Sequence, residues 1–123
     1  MPVVLCVDGD EEVRDWLDLV LGEAGYEVHF AEMASDVVKP LRDNFRLDLL
    51  ITDFEMSEES ISGLALAKLA RNSQPDLPIV FLSELSDLEE KVEEIARPML
   101  ILKKPIGRDA LVAAIRGFLG TEI

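Results

Sequence analysis

Four apolar runs of this chain each end in a side chain that can do chemistry. Leu49-Leu50-Ile51-Thr52 closes on Asp53, and Val3-Val4-Leu5-Cys6-Val7 closes on Asp8. Ile79-Val80-Phe81-Leu82 closes on Ser83, and Met99-Leu100-Ile101-Leu102 runs into Lys103-Lys104-Pro105. Two acids (one of them nucleophile-like), a hydroxyl and a lysine form a single site if the four runs are adjacent parallel strands. Ligands and chemistry in open α/β sheets collect at the carboxyl ends of the strands. Each residue also has a plainer reading. An acid after a strand is often a helix cap, which applies to Asp8 and Asp10, and Ser83 could cap a following helix in the same way. Lys104 could be an ordinary surface lysine beside a turn. Four independent strand ends would all have to mislead for the plainer readings to hold together.

The elements that must position these groups alternate strand and helix five times. After the first strand, Val13, Trp16, Leu17, Val20, Leu21 and Ala24 fall on one helical stripe, with Arg14, Asp15, Asp18 and Glu23 opposite. Asp10, Glu11 and Glu12 place negative charge where the macrodipole favours it, and Gly25 stops the helix. A short second strand spans 27–30, and a weaker helix near 35–43 contains Pro40. The third strand leads through a loop (55–62) to a helix at 63–72. Leu85, Leu88, Val92 and Ile95 give a fourth helix a narrow apolar stripe among acids. Ala110, Leu111, Ala114, Ile115 and Phe118 line the fifth. Strands and helices alternating at this length predict a parallel sheet covered on both faces, with right-handed crossovers.

Composition sets limits on the function. At 123 residues and 49% hydrophobic, the chain is expected to form one domain, 1–123, with a core that needs no staples. A net charge of −13 argues against direct nucleic-acid binding, which needs clustered Lys and Arg. It would suit a basic protein surface, although solubility is the plainer explanation. Cys6 is the only cysteine and sits mid-strand, so it reads as a small buried hydrophobe. No leader-like segment precedes the first strand and no run approaches the length of a membrane span, so a cytoplasmic location is expected. His29 has no nearby cysteine or second histidine and reads as an edge or surface residue.

Val-Asp-Gly-Asp-Glu (7–11), Leu-Leu-Ile-Thr-Asp (49–53), Pro-Ile-Val-Phe-Leu-Ser (78–83) and Lys-Lys-Pro (103–105), in this order and spacing, resemble the receiver domain of two-component response regulators. The resemblance runs over residues 3–119 and takes in the Gly25-Tyr26-Glu27-Val28 turn. It implies a flavodoxin-like (CheY-like) doubly wound fold with five helices, strand order 2-1-3-4-5, and Asp8 beside Asp53. It implies that Asp53 accepts a phosphoryl group from a histidine kinase or phosphotransfer protein. Asp8, Asp53 and the backbone carbonyl of Glu55 would hold Mg2+, Lys104 would pair with phosphoryl oxygens, and the Ser83 hydroxyl would bond one of them. The output would pass to a downstream protein through the face of the fourth helix, fifth strand and fifth helix. Such a chain is no enzyme beyond its own phosphorylation and slow dephosphorylation.

The chain also departs from the family. Gly9 stands where a second acid is usual, so Asp10 or Glu55 takes over that ligand role or metal binding is weak. Ser57 follows Met56 where the family has proline, the loop adds Glu58 and Glu59, and Glu84 replaces a small residue. The switch position on the fifth strand is Ile101 rather than an aromatic residue, and Pro98-Met99-Leu100 replaces the acids that mark one dimerising subfamily. A receiver-like interaction module without a phosphorylation cycle is the alternative. A remote third reading is a haloacid-dehalogenase-type phosphatase, from Asp8-Gly9-Asp10; Glu12, the chain length and the missing late acid pair count against it.

Overall fold

The computed structural model describes residues 1–54, 62–84, 92–93 and 95–120. Five parallel strands, β1 (Val3–Val7), β2 (Glu27–Ala31), β3 (Leu49–Asp53), β4 (Ile79–Ser83) and β5 (Met99–Lys103), form one sheet in the order β2-β1-β3-β4-β5. This is the flavodoxin-like order, with its switch point between β1 and β3. The helices among the described residues are α1 (Glu11–Glu23), α2 (Val38–Arg42), α3 (Gly63–Ser73) and α4 (Arg108–Leu119). α4 is the fifth helix of the sequence pattern. The expected fourth helix falls mostly on residues outside those described, although Val92 and Ile95 of its stripe are buried.

β1, β3 and β4 read as apolar runs because both faces of the sheet are covered there, whereas the edge strand β2 carries Glu27 and His29. Alternate residues point to opposite sides. Leu5, Val7, Leu50, Ile79 and Phe81 meet Leu41 and the Leu66, Ala67, Ala70 face of α3. Val4, Cys6, Ile51, Val80 and Leu82 meet Leu17, Val20 and Leu21 of α1 and Leu111 and Ile115 of α4. Cys6 is buried and free, as expected, and burial together with Asp8 pushes its thiol well above the ordinary value.

Local chemistry sets the helix ends. Asp10 caps α1, its carboxylate accepting from the Glu12 N–H at 2.9 Å. Gly25, at φ 98°, turns the chain out of the helix into β2. The weak helix expected near 35–43 divides into a 3₁₀ turn (Ala34–Val37) and the short α2. Pro40 is the third residue of α2, a position whose N–H has no intrahelical partner, so the proline is accommodated. One expected core position differs: Ala110 is exposed at the start of α4. Trp16 packs on the core with one side open.

Candidate functional site

Register brings the reactive strand ends together. Val7 pairs with Thr52, so Asp8 leaves β1 beside Asp53 at the end of β3. Asp53 pairs with Leu82, and Ser83 with Lys103. The Lys104 N–H donates to the Ser83 carbonyl at 2.8 Å, carrying the ladder one residue further, and the Lys104–Pro105 peptide is cis. The Lys104 Nζ then reaches across the sheet end to Asp8 Oδ2 at 3.0 Å and Asp53 Oδ1 at 3.6 Å. Asp8 is 2% exposed and Ser83 fully buried, while Asp53 retains an opening at 14% of its side chain. Asp8, Asp53, Ser83 and Lys104 therefore lie at one rim.

Burial pushes the Lys104 ammonium down. Its hydrogen bond to Asp8 and the charges of Asp53 and Asp8 outweigh that, so the net shift is upward. The ammonium stays charged where an anion would arrive. Asp8 is fixed at every polar atom: its N–H donates to Ala31 O (3.2 Å), Oδ1 accepts from the Asp10 N–H (2.9 Å), and Oδ2 accepts from Lys104. Its carbonyl accepts from Arg14 Nη1 at 2.7 Å.

That last bond involves a residue placed by periodicity on the polar face of α1. A signal for it existed. Helical side chains lean toward the N-terminus, so an arginine in the first turn reaches back to the loop before it.

Two carboxylates on neighbouring strand ends supply hard oxygen ligands of the kind Mg2+ prefers, and an ion that keeps several waters does not need a full protein cage. Among the described residues, no three His, Cys, Asp or Glu side chains cluster closely enough to hold a metal by themselves. Gly9 leaves open space, since a Cβ there would meet nothing within 4 Å. The Asp10 carboxylate is engaged as a helix cap. Glu55, with the Met56 to Glu59 loop, lies outside the described residues.

Beside the rim, a cavity of about 450 Å3 lies between α1 and the turn after β5. Trp16, Glu84, Lys104 and Ile106 line it, so the tryptophan that packs on the core also borders the site region. Ile101 is half-buried and pairs with the fully buried Phe81. His29 lies on the edge strand β2, 2.8 Å from Glu27 and edge-on to Phe45, away from the rim.

The sheet is doubly wound, and two acids, a hydroxyl and a lysine lie together at its switch-point end. The response regulator receiver domain model matches residues 4–116, and the chain belongs to that family. The response regulator MprA of Mycobacterium leprae is 35% identical over 121 residues, covering 94% of this chain and 50% of that protein. The DNA-binding transcriptional regulator NtrC of Proteus hauseri is 30% identical over 113 residues, covering 91% and 23%. The chain thus spans half or less of the length of these relatives. A receiver protein of Sinorhizobium medicae has the same fold, with a TM-score of 0.83 at 24% identity, covering 98% of this chain and 95% of that one. Receiver domains are typically signalling modules rather than enzymes, and they generally bind Mg2+. No helix among the described residues is long and apolar enough to cross a membrane.

Proposed function

We propose that the chain is a phosphoacceptor receiver, a single domain acting in the cytoplasm within a two-component or phosphorelay pathway. A carboxylate oxygen of Asp53 attacks the phosphorus of a phosphohistidine on a histidine kinase or phosphotransfer protein. The P–N bond breaks as the acyl phosphate forms. Both reactants are anionic, so the barrier depends on positive charge held at the site before the phosphoryl group arrives. The observation that carries this reading is Lys104 Nζ standing 3.0 Å from Asp8 and 3.6 Å from Asp53. Lys104 pairs with the phosphoryl oxygens, and the Ser83 hydroxyl bonds one of them. Asp8, Asp53 and the Glu55 carbonyl, with Asp10 as a further candidate, would hold Mg2+, which would supply additional charge neutralisation.

Drawing the Ser83 hydroxyl toward a phosphoryl oxygen shifts a two-state population and so rearranges the partner-binding surface. Ile101 on β5 follows by packing rather than by an aromatic swing. The output surface is the face of residues 85–95, β5 and α4, and it takes a protein partner rather than nucleic acid, in keeping with the charge of −13. Apart from its own phosphorylation and slow hydrolysis, the domain turns over nothing.

Intact mass after incubation with acetyl phosphate, with and without Mg2+, tests the reading beside Asp53→Asn. A Mg2+-dependent gain of one phosphoryl group, absent in the variant, is expected. No gain, together with no binding of magnesium and beryllofluoride, would sink it. One observation favours a second reading, an interaction module without a phosphorylation cycle: Glu84 puts a carboxylate on the cavity that Lys104 also lines.

A further inference from the structure

The structure assigns Arg14 as a positioning residue for the acceptor rim, holding the β1–α1 loop in place of the order that Gly9 does not provide. The inference deepens the proposed receiver function and rests on it for its link to phosphorylation, but not for its structural part. Gly9 is the first residue beyond Asp8, it is exposed, and a Cβ there would touch nothing within 4 Å. A glycine without neighbours gives a loop the most conformations to lose. The same loop carries Asp8, whose two carboxylate oxygens are committed to the Asp10 N–H and to Lys104. If the loop wanders, both bonds lengthen and the acid beside Asp53 moves.

Arg14 prevents this from one turn into α1. Its Nη1 donates to the Asp8 carbonyl at 2.7 Å, a charge-assisted bond at the short end of its range. The far side of Gly9 is held by the helix itself, whose first backbone bond runs from the Arg14 N–H to the Asp10 carbonyl at 3.0 Å, so the side chain of Arg14 ties the near side to a fixed helix start. The half-buried guanidinium is partly shielded from water, which competes less for the bond. Asp8 is thus clamped through its N–H, its carbonyl and both carboxylate oxygens, and Arg14 is the only one of these partners that a side-chain change on α1 can remove.

The test uses Arg14→Ala, Arg14→Lys and the double variant Arg14→Ala/Gly9→Ala. Amide hydrogen exchange of the folded protein is the first readout. In Arg14→Ala, exchange at Asp8 and Asp10, whose N–H groups donate to the Ala31 carbonyl and the Asp8 carboxylate, is expected to quicken about tenfold, the loss of one charge-assisted bond, while β3 and α4 hold their rates. Arg14→Lys should fall between. Ala at position 9 restricts the loop at no steric cost, so the double variant should recover part of the protection. The second readout is calorimetric affinity for beryllofluoride in the presence of magnesium, expected to fall about tenfold in Arg14→Ala and to recover in the same order. Unchanged exchange at Asp8 and Asp10, or exchange rising equally throughout the chain, overturns the assignment whatever Asp53 does. Faster local exchange with unaltered beryllofluoride affinity also overturns it as a property of the rim. If the wild-type chain takes up no beryllofluoride, the phosphoacceptor reading fails and exchange alone decides for Arg14.

Discussion

Lys104 shows how one residue serves fold and site together. Its ammonium faces a nearly buried Asp8 and a partly exposed Asp53, and removing it leaves Asp8 in the interior without its cation. Lys104→Met is expected to cost about 2 kcal/mol, less than a wholly buried pair because a fifth of the lysine still meets water. The pH dependence follows from the upward shift. The folded value lies above the ordinary 10.5, so the contribution is fully present below 10.5 and is lost as pH rises through the folded value. Denaturant titrations of wild type and Lys104→Met, from about pH 8 to about pH 12, should show a difference that is flat at first and then shrinks. A difference that grows with pH would contradict the ion pair. Asp8, Asp53, Ser83 and Lys104 were legible in the sequence because each closes an apolar run, and parallel strands buried on both faces produce such runs. Arg14 was not legible, because periodicity places a residue on a helix face without saying how far its side chain reaches back.

At the scale of elements, α3 is held against the end of β3 with no room to spare. A Cβ on Gly63 would stand 2.3 Å from the Asp53 carbonyl oxygen, and a backbone atom cannot give way as a flexible side chain would. Ser62 fixes the helix start by capping the Ala65 N–H at 3.1 Å, so α3 cannot simply slide. Gly63→Ala is expected to cost about 1–3 kcal/mol, read as a lower denaturant midpoint at constant slope. Gly9→Ala, with open space around it, should stay within about 0.5 kcal/mol of wild type. Equal effects of the two would show that α3 does not press on β3. The strands and long helices were legible to within a residue or so. The division at 34–42 was not, because a proline in a short amphipathic stretch signals a disturbed helix without showing where it restarts. Trp16 was read as core from its stripe alone. It does pack on the core, and its open side lines the cavity beside Lys104.

For the molecule as a whole, the charge of −13 is spread over a small globule, and two of its acids, Asp8 and Asp53, sit at the strand-end rim. Two effects of magnesium must therefore be separated. Any salt weakens self-repulsion among exposed carboxylates, with a reach of about 10 Å at 0.1 M, so sodium chloride alone should raise the melting temperature. Binding at Asp8 and Asp53 adds a second increment, because a ligand held only by the folded state stabilises it by about 1.4 kcal/mol at ten times its dissociation constant. For a chain of this length that corresponds to about 3–6 °C. The expected result is a larger melting shift in magnesium chloride than in sodium chloride of equal ionic strength. Asp8→Asn should abolish the excess while keeping the common part, even if the variant itself melts higher through relief of repulsion. Gly9→Asp, which the open space at that position accommodates, should let the excess develop at lower magnesium concentrations. If magnesium and matched sodium shift wild type equally while Gly9→Asp gains an excess, the rim has the geometry for an ion but too few carboxylates to hold one. The module without a phosphorylation cycle would then be the better account of the chain. If neither responds, the strand ends hold Lys104 and no metal, and Asp53 has lost the cation that would offset an incoming phosphoryl group.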